Sequence, residues 1–179
     1  MSRIGRSLPV LILTMSAGCT GLEQTRPAAV PAALQVPLAG ARSVQARAVG
    51  VQIYICQASP GDASHFEWVL RAPEAQLFDR SNRPIIKHYA GPTWEANDGS
   101  TVVGEVLARD NGPDAMAIPW LLLRAKSTSG KGLLSGTQFI QRLNTVGGKA
   151  PQGGCSPDLA GSEARVHYAA DYVFFAPRG

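Results

Sequence analysis

The feature that most constrains this chain is the shortness of its ordered patterns. No stretch much beyond about ten residues keeps the 3.6-residue period of a helix, whereas period-two runs recur along most of the sequence. Val51, Ile53 and Ile55 alternate with Gln52, Tyr54 and Cys56, and Phe66, Trp68 and Leu70 alternate with Glu67, Val69 and Arg71. Ile85 to Tyr89 is a third run, ended by Gly91-Pro92. Thr93–Ala96 and Thr101–Leu107 flank Asn97-Asp98-Gly99, a hairpin signature because Asp-Gly tolerates the left-handed backbone that tight turns need. Arg109 to Asp114 and Ser127 to Gly132 are further turn clusters. Ile118 to Ala125 is apolar on both faces, as in a strand covered on both sides. Leu133–Leu143 and the aromatic-rich Val166–Phe175 complete the set. With 19 Gly and 13 Pro in 179 residues, turns are abundant. The pattern predicts a single all-β domain, an antiparallel β-sandwich or barrel with long turns.

The first 18 residues read as an export signal. Arg3 and Arg6 precede a short apolar core, Leu8 to Met15, and then the small residues Ser16-Ala17-Gly18. The core is too short to span a bilayer as a helix, which takes about 20 residues. Cys19 follows directly. Small-small-Cys after an apolar core resembles the bacterial lipobox, in which the cysteine becomes a diacylated N-terminus; Ser16 stands where a branched aliphatic is usual. Plain secretion and an uncleaved start are the alternatives. The expected organisation is a signal peptide over 1–18, a lipid-attachment cysteine with a Pro/Ala-rich tether over 19–43, and the all-β domain over 44–179. Pro27, Pro31 and Pro37 keep the tether extended, although an arm lying on the domain fits as well, and Leu34, Val36 and Leu38 alternate like a first edge strand. The expected location is the bacterial cell envelope, membrane-attached through the lipid, or otherwise the exterior.

The whole chain carries a net charge of +4, and loss of Arg3 and Arg6 with the signal lowers it by two. That is too weak a positive charge for nucleic acid to be an expected partner. Lipidation of Cys19 would leave Cys56 and Cys155 of the three cysteines. These two can pair in an oxidising compartment, or stay as buried thiols. Neither Cys-x-x-Cys nor His-x-x-x-His spacing is present, so no metal is expected, and no cofactor either: the chain lacks a dinucleotide fingerprint, a P-loop, a Gly-x-Ser-x-Gly elbow and His-Glu-x-x-His.

The stretch from His88 to Ser100 is rich in chemistry: a histidine, two aromatics, two carboxylates, an asparagine and a tight turn. Gln141-Arg142-Leu143-Asn144-Thr145, opening onto Gly147-Gly148, is a second polar cluster. These segments, together with Gly50-Val51-Gln52-Ile53-Tyr54 and Cys56, Ala72-Pro73-Glu74-Ala75 after Trp68, and Pro119-Trp120-Leu121-Leu122, resemble an uncharacterised exported family called domain of unknown function 3455, over about residues 45–175. The resemblance implies a bridge between Cys56 and Cys155, which match cysteines of the family pattern. It implies no activity. Fungal members often carry a malate dehydrogenase label, yet this sequence has no alternating β/α pattern that would hold NAD.

Three functional readings follow. In the first, the domain is a non-catalytic binding module, with Tyr89 and Trp94 stacking on a glycan or another polar small molecule. In the second, it is a structural envelope protein whose aromatics are core. In the third, it is a hydrolase using His88 with Glu95 or Asp98 as acid and base. The candidate ligand site is His88, Tyr89, Trp94 and Asp98, with Arg142 and Asn144 as second contributors. Arg142 paired to Glu95 or Asp98, simply holding loops together, is the alternative role for that residue.

Overall fold

The structure is a computed structural model that describes residues 29–37 and 42–177. Residues 1–28, with the expected signal peptide and Cys19, lie outside the described residues. Eight strands run in chain order: β1 (Arg42–Ser59), β2 (Asp62–Phe78), β3 (Pro84–Tyr89), β4 (Thr93–Ala96), β5 (Thr101–Asp110), β6 (Trp120–Ser129), β7 (Phe139–Gly147) and β8 (Glu163–Ala176). Each pairs antiparallel with the next, and β8 pairs back onto β1 from Arg42↔Ala176 to Ile55↔Glu163. The sheet is therefore a closed barrel, which decides between the two architectures that the alternation left open. Two 3-10 turns, Ala32–Leu34 and Pro157–Leu159, complete the regular structure.

Alternation divides each strand between the interior and the outer wall. The interior is filled by Trp94, Tyr172 and Phe174 against small neighbours such as Ala46, Ala48 and Ala170. An alternation of large and small residues is how a narrow barrel fits its own side chains. Gly104 belongs to this fit: a Cβ there would stand 2.9 Å from the Trp94 ring.

Connections between consecutive antiparallel strands fall at alternate ends. Those joining β1–β2, β3–β4, β5–β6 and β7–β8 share one end, here called the mouth. The far end is closed by the β6–β7 loop. Leu134 of that loop is fully buried in the interior cluster. It is held there by the β4–β5 turn, where the Asp98 carboxylate accepts from the Leu133 N–H at 2.7 Å and the Ser100 hydroxyl accepts from the Leu134 N–H at 3.0 Å. The stretch Leu133–Leu143 is thus a strand only from Phe139. Its first half is a plug, and Leu134 is apolar because of what it stoppers.

The apolar run of β6 is covered on both faces, as expected. Leu121 and Leu123 point inward. Trp120 and Leu122 point outward and are buried under Leu34, with Val30 and Val36 packed alongside. The Gln141 side chain of β7 donates to the Leu34 carbonyl at 2.6 Å. Residues 29–37 are therefore an arm seated on the wall. The expected edge strand there is instead a 3-10 turn, because Pro31 has no N–H to give a ladder and the neighbouring wall offers side chains rather than a strand edge.

Cys56 and Cys155 are bonded, with Cα atoms 5.3 Å apart and 99 residues between them in sequence. The bridge fastens the long β7–β8 loop to the β1–β2 hairpin at the mouth. The Trp68 indole N–H reinforces it by donating to the Gly153 carbonyl at 2.9 Å.

Candidate functional site

At the mouth, a cavity of about 430 Å³ reaches into the barrel. That lies within the ordinary size range of small-molecule pockets. Three strands supply its polar floor: Gln52 and Tyr54 from β1, His88 from β3 and Arg142 from β7. Apolar side chains, among them Leu70, Val106, Ile118, Leu121 and Leu123, form much of the wall.

His88 is only 3 % exposed. Its ring lies flat on the Trp94 ring at 4.3 Å and meets Tyr172 edge-on at 5.5 Å. Its Nδ1 is 2.8 Å from the Thr93 carbonyl oxygen. A carbonyl can only accept, so Nδ1 carries the proton and Nε2 keeps a lone pair. Burial pushes the imidazole down from its ordinary 6.5 to about 3, against the hydrogen bond to Thr93 and with help from the Arg142 charge. His88 is thus a neutral acceptor.

Arg142 is half-buried in the wall, in register with Leu121 of β6 and Tyr172 of β8. Its Nε and Nη2 both donate to the Pro119 carbonyl, at 3.1 and 2.8 Å. Among the described residues it has no carboxylate partner, and neither Asp nor Glu lines the cavity. Two further arginines, Arg71 and Arg109, stand at its lining; Arg71 is paired with Glu163 on the outer surface. Among the described residues two buried donors in the barrel, Gln52 Nε2 and Trp94 Nε1, have no hydrogen-bond partner; the Tyr168 and Tyr172 hydroxyls have none within hydrogen-bond distance, although they lie near each other and Tyr172 lies near Arg142. Burial raises the pKa of both tyrosines, so each remains a protonated donor. The Tyr54 hydroxyl is already committed to the Gly148 carbonyl at 2.6 Å.

Residues 37–176, the bulk of the chain and all eight strands, match a family model described as protein of unknown function (DUF3455). The chain belongs to the DUF3455 family. No curated protein and no solved structure matches it.

The DUF3455 barrel gathers some of the residues singled out in the sequence and separates others. His88, Trp94 and Arg142 line one cavity. Tyr89 does not: it follows His88 in β3 and faces outward, where its hydroxyl donates to Glu95 at 2.9 Å. Glu95 is likewise on the outer face, next to inward Trp94. Asp98 sits at the far end and anchors the plug. Its carboxyl is held below the ordinary carboxylate range by the Ser100 hydroxyl and by the Leu133 and Ser100 N–H groups. Asn144 is exposed, and its amide donates to Asp171 at 2.8 Å. The Arg142 pairing with Glu95 or Asp98 is therefore not made; the Pro119 carbonyl takes that place. Neither carboxylate shares the inner face with His88, so the acid–base set of the hydrolase reading is not assembled. Among the described residues no cluster of His, Cys, Asp and Glu could hold a metal ion.

Gln52, Tyr54 and Tyr172 were not singled out. For Gln52 a signal existed: it is a polar residue inside an apolar run, on the same strand face as Tyr54. Tyr172 carried none, because an aromatic in an aromatic-rich last strand reads as core.

Proposed function

We propose that the DUF3455 barrel is a non-catalytic binding module of the cell envelope or exterior, which takes a small molecule into the mouth of its barrel. The observation that carries this reading is the set of unpartnered buried polar atoms beside a cavity of ligand size. Leaving such an atom unsatisfied costs about 1–3 kcal/mol, and a ligand with complementary groups recovers that energy. Eight-stranded barrels have interiors that side chains just fill or that hold one small ligand. A glycan stacked on an exposed Trp94 does not fit, since the ring is 1 % exposed and one face lies on His88. A polar small molecule reaching Trp94 from inside the cavity does.

The test is thermal-shift profiling of the purified protein against neutral sugars, organic acids, alcohols and amines. At least one class is expected to raise Tm saturably, and Leu123→Trp, which fills the cavity, is expected to abolish that shift. If no class shifts Tm, the barrel is structural.

The attachment follows from Cys19 as a lipid anchor. Cys19→Ala is expected to move the protein from the membrane to the soluble fraction and to abolish palmitate labelling. Unchanged partitioning would overturn the anchor.

A further inference from the structure

We propose that the ligand is a small organic anion, a carboxylate on a compact apolar body, with its carboxylate on Arg142 and its body along the apolar wall. This rests on the binding reading above and specifies its chemistry.

Charge is the first argument. The cavity lining holds three arginines and no acid, so its fixed charge is of one sign. Arg71 has Glu163 outside, whereas the neighbours of Arg142, the Pro119 carbonyl and the Tyr172 hydroxyl, are neutral. A half-buried guanidinium without a counter-charge favours an anion brought by a ligand, because a low-dielectric wall strengthens that attraction relative to water.

The second argument is the balance of donors and acceptors. Gln52 Nε2 and Trp94 Nε1 are donors, 2 % and 1 % exposed as residues, and the Tyr172 hydroxyl can donate too. The Tyr54 hydroxyl spends its proton on Gly148. Acceptors are present as well, among them His88 Nε2, the Gln52 amide oxygen and the tyrosine hydroxyls, but the only full charge facing a ligand from the barrel wall is the Arg142 guanidinium. A carboxylate offers two oxygens and about four acceptor sites, and it can take the Nη1 and Nη2 protons that the Pro119 carbonyl leaves free. A neutral sugar brings no charge to the guanidinium. An amine would meet the Arg142 charge as a like charge.

The third argument is the wall. Leu70, Val106, Ile118, Leu121 and Leu123 give the body of the ligand only apolar contacts. A free inorganic anion would leave them uncovered.

The experiment uses the purified protein and four probes of one chain length: octanoate, octanol, octylamine and octyl phosphate, titrated by calorimetry. Octanoate is expected to bind at least tenfold more tightly than octanol, and octylamine not at all. In Arg142→Met the preference for acid over alcohol is expected to vanish while octanol binding persists. Gln52→Leu is expected to weaken octanoate and leave octanol unchanged. If octanol binds the native protein as tightly as octanoate, or if Arg142→Met keeps the preference, the anion assignment is wrong while the cavity reading stands. If octyl phosphate binds and octanoate does not, the anion is a phosphate ester and the carboxylate is overturned. If none of these probes binds, the organic-anion assignment falls, and the thermal-shift profile decides the cavity reading. Should Arg142→Met not fold, the native comparison and Gln52→Leu still decide.

Discussion

Acidifying the protein from pH 6.5 to pH 4 is expected to remove about 3 kcal/mol of stability through His88 alone. The folded imidazole titrates at about 3 and the unfolded one at its ordinary 6.5. Between those values the unfolded chain binds a proton that the folded one refuses. Stability therefore rises with pH across this window, with a slope approaching about 1.4 kcal/mol per pH unit. Above 6.5 the contribution is complete, and below about 3 both states are protonated. Asp62, Asp79 and Asp98 lie below the ordinary carboxylate value of 3.8 and act in the same direction, beginning at about pH 5. The interval from 5 to 6.5 isolates the histidine. Urea unfolding at half-unit steps measures the slope. His88→Asn, whose amide nitrogen sits close to where Nδ1 does and can still donate to Thr93, is expected to be less stable at neutral pH and nearly flat over that interval. A native protein equally stable at pH 4.5 and 6.5 would show that water reaches the ring and that burial does not hold it neutral.

The second large effect belongs to the mouth. Replacing Cys56 and Cys155 together by serine is expected to cost about 4–5 kcal/mol, because the bridge closes a loop of nearly 100 residues and restricts the unfolded chain accordingly. A domain's whole stability is typically about 5–15 kcal/mol, so the reduced protein would be close to its limit. Urea melts of the oxidised and double-serine forms decide it. The midpoint should fall and the denaturant slope rise, since an unbridged chain exposes more surface on unfolding. A loss below about 1 kcal/mol would mean that the bridge adds little to what the Trp68 bond to Gly153 and the backbone bonds of Cys56 with Ser162 and Gly161 already fix.

Strand positions were legible wherever turn chemistry framed them. Asp98-Gly99 fixed β4 and β5 almost to the residue, with Gly99 at φ +82° as such a turn requires. The alternation of Val51 to Cys56 announced a strand but not its inner face. Gln52 and Tyr54 point into the barrel there because the mouth is a polar cavity rather than packed core. Leu133 to Leu143 looked like one strand because a plug and a strand need the same apolar residues. The double burial of Trp120 to Leu123 was readable, but what covers the outer face was not, since proline content says nothing about where an arm docks.

The candidate site was half legible for a topological reason. The Gly91-Pro92 turn and the Asp98 turn bound the same short strand, and consecutive turns of a meander lie at opposite ends. His88 and Asp98 were therefore close in sequence and far apart in the barrel. Arg142, Tyr172 and Gln52 were distant in sequence and became neighbours only through β7–β8 and β8–β1 pairing. That pairing is a property of the closed ring and leaves no trace in any local run.

Closure also sets an order of events. A chain made from its N-terminus presents β1 first and its partner β8 last, so one edge of β1 has no strand to pair with until nearly all the described chain has emerged. Unpaired edges are templates for other chains, and non-local pairing is slow to form. Until β8 arrives, the growing sheet is an open ribbon with Trp94 and its neighbours on an uncovered face. The vulnerable interval in this protein's life is thus the one before its last fourteen-residue strand is available. Changes that slow or shorten β8 will show first as aggregation before the ring closes, even where the finished barrel would tolerate them.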